Sequence, residues 1–153
     1  MDRKIKGISL IELLIVIALI AVLAALATPP LLKWRQAYYI ESDVKQLASV
    51  LQNARMKAFS EKIDLSANLN GNSVCVLCDT NSTDNTACTN KYNSNCIISY
   101  QLKFNYGNYS IPITKRGVFS TNITIKYPGS NPASYDCLVI SNLRTKLEKC
   151  NGQ

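Results

Sequence analysis

Apolar positions along this chain follow three regimes with different periods. Residues 7–27, GISLIELLIVIALIAVLAALA, form an almost unbroken apolar run interrupted by one carboxylate, Glu12. As a helix, the stretch from Ile8 to Ala27 rises about 30 Å, the thickness of a bilayer core. Thr28-Pro29-Pro30 follows. Pro29 lacks an amide hydrogen and clashes with the preceding turn, so a kink is expected there. Apolar residues then recur at spacings of three and four, at Ile40, Val44, Leu47, Leu51, Ala54 and Ala58. No glycine or proline interrupts Leu31 to Lys62. The pattern predicts an amphipathic helix whose stripe packs against a sheet. Trp34, Tyr38 and Tyr39 stand just outside the apolar run. Aromatic residues favour the membrane interface there, and ordinary packing against neighbours explains them equally well.

The period changes to two beyond Cys96. In Ile97 to Phe104, the residues Ile98, Tyr100, Leu102 and Phe104 share one face opposite Ser99, Gln101 and Lys103. Tyr109 to Thr114 reads as a strand that Pro112 confines to an edge. Asn122 to Tyr127 alternates again, and Cys137 to Ile140 with Thr145 to Cys150 forms a terminal hairpin reversing around Asn142-Leu143-Arg144. With the turn centred there, Cys137 faces Cys150 at a separation that a disulfide spans.

Between these regimes, residues 64–96 are rich in Asn, Ser, Thr, Asp and Cys. Asn70-Gly71-Asn72 signals a turn, Val74 to Leu77 a short strand, and Asp79 to Asn95 reads as turns throughout. Cys75, Cys78, Cys88 and Cys96 bracket that loop. Four cysteines suit either a zinc site or two disulfides, but a second closely spaced pair is missing. Disulfides are therefore expected, with their pairing open and no metal. One long helix followed by about six short strands is an α+β plan: a long N-terminal α-helix packed on an antiparallel β-sheet domain with disulfides. The expected divisions are residues 1–7, 8–28, 29–62 and 63–153.

Composition narrows the functional classes. The chain has 153 residues and a formal net charge of +7, of which Arg3, Lys4 and Lys6 against Asp2 contribute +2. The remaining +5 suits an anionic partner or plain solubility. Histidine is absent, which removes the commonest general base and metal ligand. No nucleophile–base spacing appears, so no enzyme activity and no cofactor are expected. Six cysteines, all beyond residue 70, indicate an oxidising compartment, and the basic residues before the apolar run hold that end in the cytoplasm.

The apolar run admits three readings. A plain membrane anchor leaves Glu12 unexplained, because a carboxylate in hydrocarbon is costly and usually functional. A secretory signal peptide is supported by Ala25-Leu26-Ala27 as a cleavage site, but the amphipathic pattern continues past that cut. Third, Lys6-Gly7 followed by Ile8-Ser9-Leu10-Ile11-Glu12-Leu13-Leu14-Ile15-Val16-Ile17-Ala18 resembles the signal of type IV prepilins and type II secretion pseudopilins. The resemblance implies cleavage between Gly7 and Ile8 by a prepilin peptidase and methylation of the new amino terminus at Ile8. It also implies a helix that anchors the chain in the bacterial inner membrane before entering a filament, with the C-terminal domain in the periplasm. Phenylalanine is usual where this chain has Ile8. Cleavage frees an α-amine of pKa about 8, and Glu12 of a neighbouring subunit is a fitting partner for that cation.

A finer resemblance, to the GspH/FimT branch, rests on Asn53-Ala54-Arg55-Met56-Lys57-Ala58 and the terminal strand Val139 to Lys146. It implies a minor pilin, with other pilin subunits as partners. Some FimT-like pilins bind DNA through a strand motif resembling Gly-Arg-x-Arg, where this chain reads Leu143-Arg144-Thr145-Lys146. Arg144 and Lys146 would share a strand face, and Lys115-Arg116 would extend the patch. Lysine at the second position loses bidentate geometry, and Glu148 on the same face opposes an anion.

Overall fold

The computed structural model describes residues 9–82, 85–93 and 95–150, and omits the side chains of 26–29. The kink expected at Pro29 falls on residues 26–29, whose side chains lie outside that description. The chain divides into two compact units, Met1–Arg35 and Gln36–Gln153.

Helix α1 (Leu10–Glu61) begins after Ser9, whose carbonyl accepts the amides of Glu12 and Leu13. In the first unit its side chains from Leu10 to Ala25 are all exposed. No single helix among the described residues is long and apolar enough to cross a membrane, and Leu10–Ala25 with Pro30–Glu61 meets that measure only as a pair.

In the second unit, Ile40, Val44, Leu47, Leu51, Ala54 and Ala58 are all fully buried. All but Ile40 belong to one apolar cluster with Leu65, Val76, Ile111, Phe119 and Leu138 from the strands. Burying each large aliphatic side chain contributes about 1.5–3 kcal/mol. The helix ends at Lys62, which adopts the left-handed conformation at φ 57, and Ile63 N–H returns to the Ala58 carbonyl. That bond closes a Schellman cap, and Ala58 and Ile63 are buried beside it.

The strands are β1 (Leu65–Asn70), β2 (Ser73–Cys78), β3 (Ile98–Gln101), β4 (Asn108–Ile113), β5 (Ile123–Lys126), β6 (Cys137–Ser141) and β7 (Arg144–Glu148). They form two antiparallel sheets, β3-β2-β1-β4 and β5-β6-β7, the antiparallel β domain expected beside the long helix. Pro112 lies on β4, an edge strand, where its missing amide leaves no ladder bond unmade. β1 and β2 join through Gly71-Asn72, with Gly71 supplying the φ of +64 that a tight hairpin requires.

Two elements depart from the sequence expectation. β1, LSANLN, occupies a central position although Ala and Asn are poor strand formers; Leu65, Ala67 and Leu69 fill the core from one face. Helix α2 (Thr86–Tyr92) stands where turns alone were expected. Cys88, fully buried, ties α2 to β2 through Cys78, and Cys75 pairs with Cys96. On the other side of α2, the Tyr92 hydroxyl and the Lys91 ammonium both reach the Glu61 carboxylate. Tertiary ties therefore set the helix, against its weak local propensity.

Cys137 is bonded to Cys150 with 5.9 Å between Cα atoms. The hairpin centre nevertheless differs from expectation. Ser141 pairs with Arg144, so Cys137 lies opposite Glu148, and the bridge runs diagonally to Cys150 two residues further on.

Candidate functional site

Two regions carry the residues singled out from the sequence. In the first, Arg3, Lys4, Lys6, Gly7 and Ile8, which bear the cleavage and methylation expectations, lie outside the described residues. Glu12 is described. It sits in the first turn of α1, exposed among Leu10, Ile11, Leu13 and Leu14, and is the one ionisable side chain from Leu10 to Ala25. A carboxylate near a helix N-terminus is favoured by the helix dipole, which lowers the cost of holding it in an apolar run.

The second region is a basic turn in the second unit. After β4 the chain reverses at Thr114–Gly117, closed by the Gly117 amide on the Thr114 carbonyl at 2.7 Å. Gly117 has φ +71, and a Cβ there would stand 3.3 Å from both the Arg55 carbonyl oxygen and the Phe59 Cβ. The position therefore requires glycine both for its backbone angle and for its closeness to α1. Arg55 Nε donates to the Gly117 carbonyl at 2.7 Å, and its guanidinium lies 5.0 Å over the Phe119 ring. On the opposite flank the Lys115 amide donates to Asp64 Oδ1 at 2.6 Å, while Ser82 Oγ donates to Asp64 Oδ2. The turn carrying Lys115 and Arg116 is thus clamped from both sides, and both side chains are exposed.

Phe119 N–H donates to the Asn142 carbonyl, which brings the tip of the β6–β7 hairpin beside this turn. A depression of about 500 Å³ lined by Lys115, Arg116, Val118, Ser120 and Asn142 results. Arg116 also lines a second depression of about 240 Å³ against Arg55, Met56 and Phe59. On β7, Arg144 and Lys146 are exposed on one face, and Gln52 of α1 donates to the Thr145 hydroxyl at 2.9 Å on the other. Lys146 is ion-paired to Glu148 at 2.5 Å, so that cation is locally compensated.

Three functional-looking residues had no sequence signal. Asp43, among the polar positions of the helix, is only 2% exposed and accepts the amides of Lys103 and Phe104 through Oδ2. Burial pushes its carboxyl above the usual range, opposed by those two amides. Burial and the Asp43 charge likewise raise the Tyr106 hydroxyl. Asp136, fully buried, accepts from Asn131 and the Cys150 amide and lies near Lys149. It stands beside Cys137 and Cys150, but both sulfurs are held in a disulfide, which leaves no thiolate for a metal.

Residues 2–28 match the family described as the prokaryotic N-terminal methylation motif. The matched segment spans the basic leader, Gly7, Glu12 and the apolar run. With the long helix and the disulfide-bonded β domain, it marks the chain as a type IV prepilin-like protein. The motif implies processing by prepilin peptidase, a membrane-anchored amino terminus and assembly with other pilin subunits. Comparison with curated proteins and with solved structures returns no match.

Proposed function

We propose that this chain is a minor type IV pilin of the GspH/FimT kind, a structural or priming subunit of a membrane-anchored filament. The observation that carries the reading is the exposed helical half Leu10–Ala25, whose only ionisable group is Glu12. A bare apolar helix of this kind needs a bilayer before assembly and neighbouring helices afterwards. Cleavage after Gly7 would create the cation that compensates Glu12 in the assembled core. The helix then serves as anchor and filament core, the leader 1–7 as peptidase address, and the exported domain as the filament's outer layer. Sequencing the amino terminus of the mature protein tests this: Ile8 is expected, and Thr28 would assign the segment to conventional secretion. Expression within a pilus or a secretion operon separates a pilus subunit from a type II secretion pseudopilin, which shares the same signal.

A second reading is a filament-borne DNA receptor. Arg144 favours it, being exposed on β7 two residues from Asn142, which lines the same depression as Lys115 and Arg116. Phosphate contacts of this kind lose affinity steeply with salt. Retention of DNA by residues 36–153 that falls with salt and disappears in Arg144→Ala/Lys146→Ala supports it. Retention unchanged in that variant excludes it.

A further inference from the structure

The charges of the second unit are unevenly matched. Asp43, Glu61, Asp64 and Asp136 accept the internal bonds described above. Glu41 takes the Ser134 amide, Asp79 the Asn81 amide and Glu148 the Lys146 ammonium. Every described carboxylate of this unit is therefore engaged by its own chain. The side chains of Arg116 and Arg144 are exposed, and their guanidinium groups make no ion pair or hydrogen bond among the described residues. Of the cations behind the net +5 beyond the leader, Arg116 at the basic turn and Arg144 on the terminal hairpin are thus two that stand without an ionic partner among the described residues.

Each of these cations has exposed apolar neighbours: Met56 and Phe59 line a depression with Arg116, and Leu143 precedes Arg144. Met56 is 62% exposed, Phe59 56% and Leu143, at the hairpin tip, 72%. Exposed apolar residues grouped around a clamped, concave site mark a docking surface more than scattered ones do. Arginine with apolar neighbours is also the composition of an interface centre. A nucleic-acid backbone would call for a row of cations instead; here Lys146 is taken up by Glu148, whose carboxylate lies on the same face. A second copy of this chain has no unpaired carboxylate to offer among the described residues of this unit.

We propose that the surface formed by Arg116, Arg144, Met56, Phe59 and Leu143 docks an acidic segment of a different protein, a filament subunit other than this one. The inference rests on the filament reading for where that partner is found, while its acidity follows from the charges here. One carboxylate enters beside Arg116, and an apolar residue next to it covers Phe59 or Leu143. Hydrogen bonds from guanidinium to carboxylate fix orientation, and the rigid turn keeps Arg116 in place before the partner arrives.

The test places a photo-reactive benzophenone amino acid at position 143 of the full chain in its native membrane. The expected result is a cross-link to a different protein at a peptide carrying Asp or Glu. The adduct should fall at least tenfold in Arg116→Glu/Arg144→Glu and return when the partner's acidic residue is changed to Lys. A cross-link to a second copy, a nuclease-sensitive adduct, or an adduct indifferent to charge reversal would overturn the proposal. So would absence of any adduct from protein whose three disulfides are intact by mass. A mature terminus at Thr28 with the acidic adduct preserved removes the filament reading alone. Ile8 with a self-adduct removes the docking surface alone.

Discussion

Arg55 reaches from near the C-terminal end of α1 to hold Gly117, donating Nε–H to its carbonyl oxygen at 2.7 Å while its guanidinium lies over Phe119. One side chain therefore joins the helix, the basic turn and the core. Removing it in Arg55→Ala forfeits a charge-assisted hydrogen bond and a cation–π contact, together about 2–3 kcal/mol. Arg55→Lys keeps charge but not the planar fork and should recover less than half. Denaturant unfolding of residues 36–153 measures both. Gly117→Ala, strained at φ +71 and tight against the Arg55 carbonyl, should cost about 1–3 kcal/mol in the same assay.

Glu12→Ala should leave cleavage after Gly7 intact, because the cut lies on the leader side, yet lower incorporation into filaments. The expected outcome is full-length processing by mass with several-fold less subunit in sheared filaments. Normal incorporation of the alanine variant would remove the pairing role of Glu12.

The Cys137–Cys150 bridge closes a loop with a sequence separation of 13. Cross-linking a loop of that length restricts the unfolded chain by about 3 kcal/mol. Cys137→Ala/Cys150→Ala should therefore lose about 2–4 kcal/mol in equilibrium unfolding, with β6 retained because Leu138 and Ile140 still fill the core. A loss below 1 kcal/mol would show that the hairpin is held by packing alone.

Much of this fold was legible because burial and period coincide. The stripe from Ile40 to Ala58 has helical spacing, and each of its residues is buried. The alternation in β5 and the proline of β4 point the same way. Legibility fails where distant residues decide. β1 alternates in period two, but with Ser, Ala and Asn, whose weak strand preference hides a central position imposed by β2 and β4. α2 exists because Cys88 is bonded to Cys78 on β2, with a sequence separation of 10, and Tyr92 reaches Glu61, 31 positions away. The basic turn was visible as Lys115-Arg116, whereas its clamp, Arg55 and Asp64, has no local signature. Asp43 is invisible for the same reason: its partners are 60 and 61 positions away.

Two carboxylates should give opposite pH responses. Burial opposes the charge of Glu61, but the Tyr92 hydroxyl and the Lys91 and Lys57 ammoniums outweigh it and lower its pKa to about 2. A depressed pKa contributes stability that is present above the unfolded value and lost as pH falls toward 2. Asp43 is shifted the other way by burial. Its contribution is fully present below the unfolded pKa and declines as pH rises through the folded one. Unfolding of Glu61→Gln should therefore be less sensitive to acid than wild type between about pH 5 and 2. Asp43→Asn retains one oxygen acceptor for the Lys103 and Phe104 amides and needs no buried charge. It should stay within about 1 kcal/mol of wild type at neutral pH, whereas Asp43→Ala, which strands two buried amides, should lose about 2–4 kcal/mol. Equal losses in the two Asp43 variants would mean that the charge itself, rather than the acceptor, holds the β3–β4 connection to the helix.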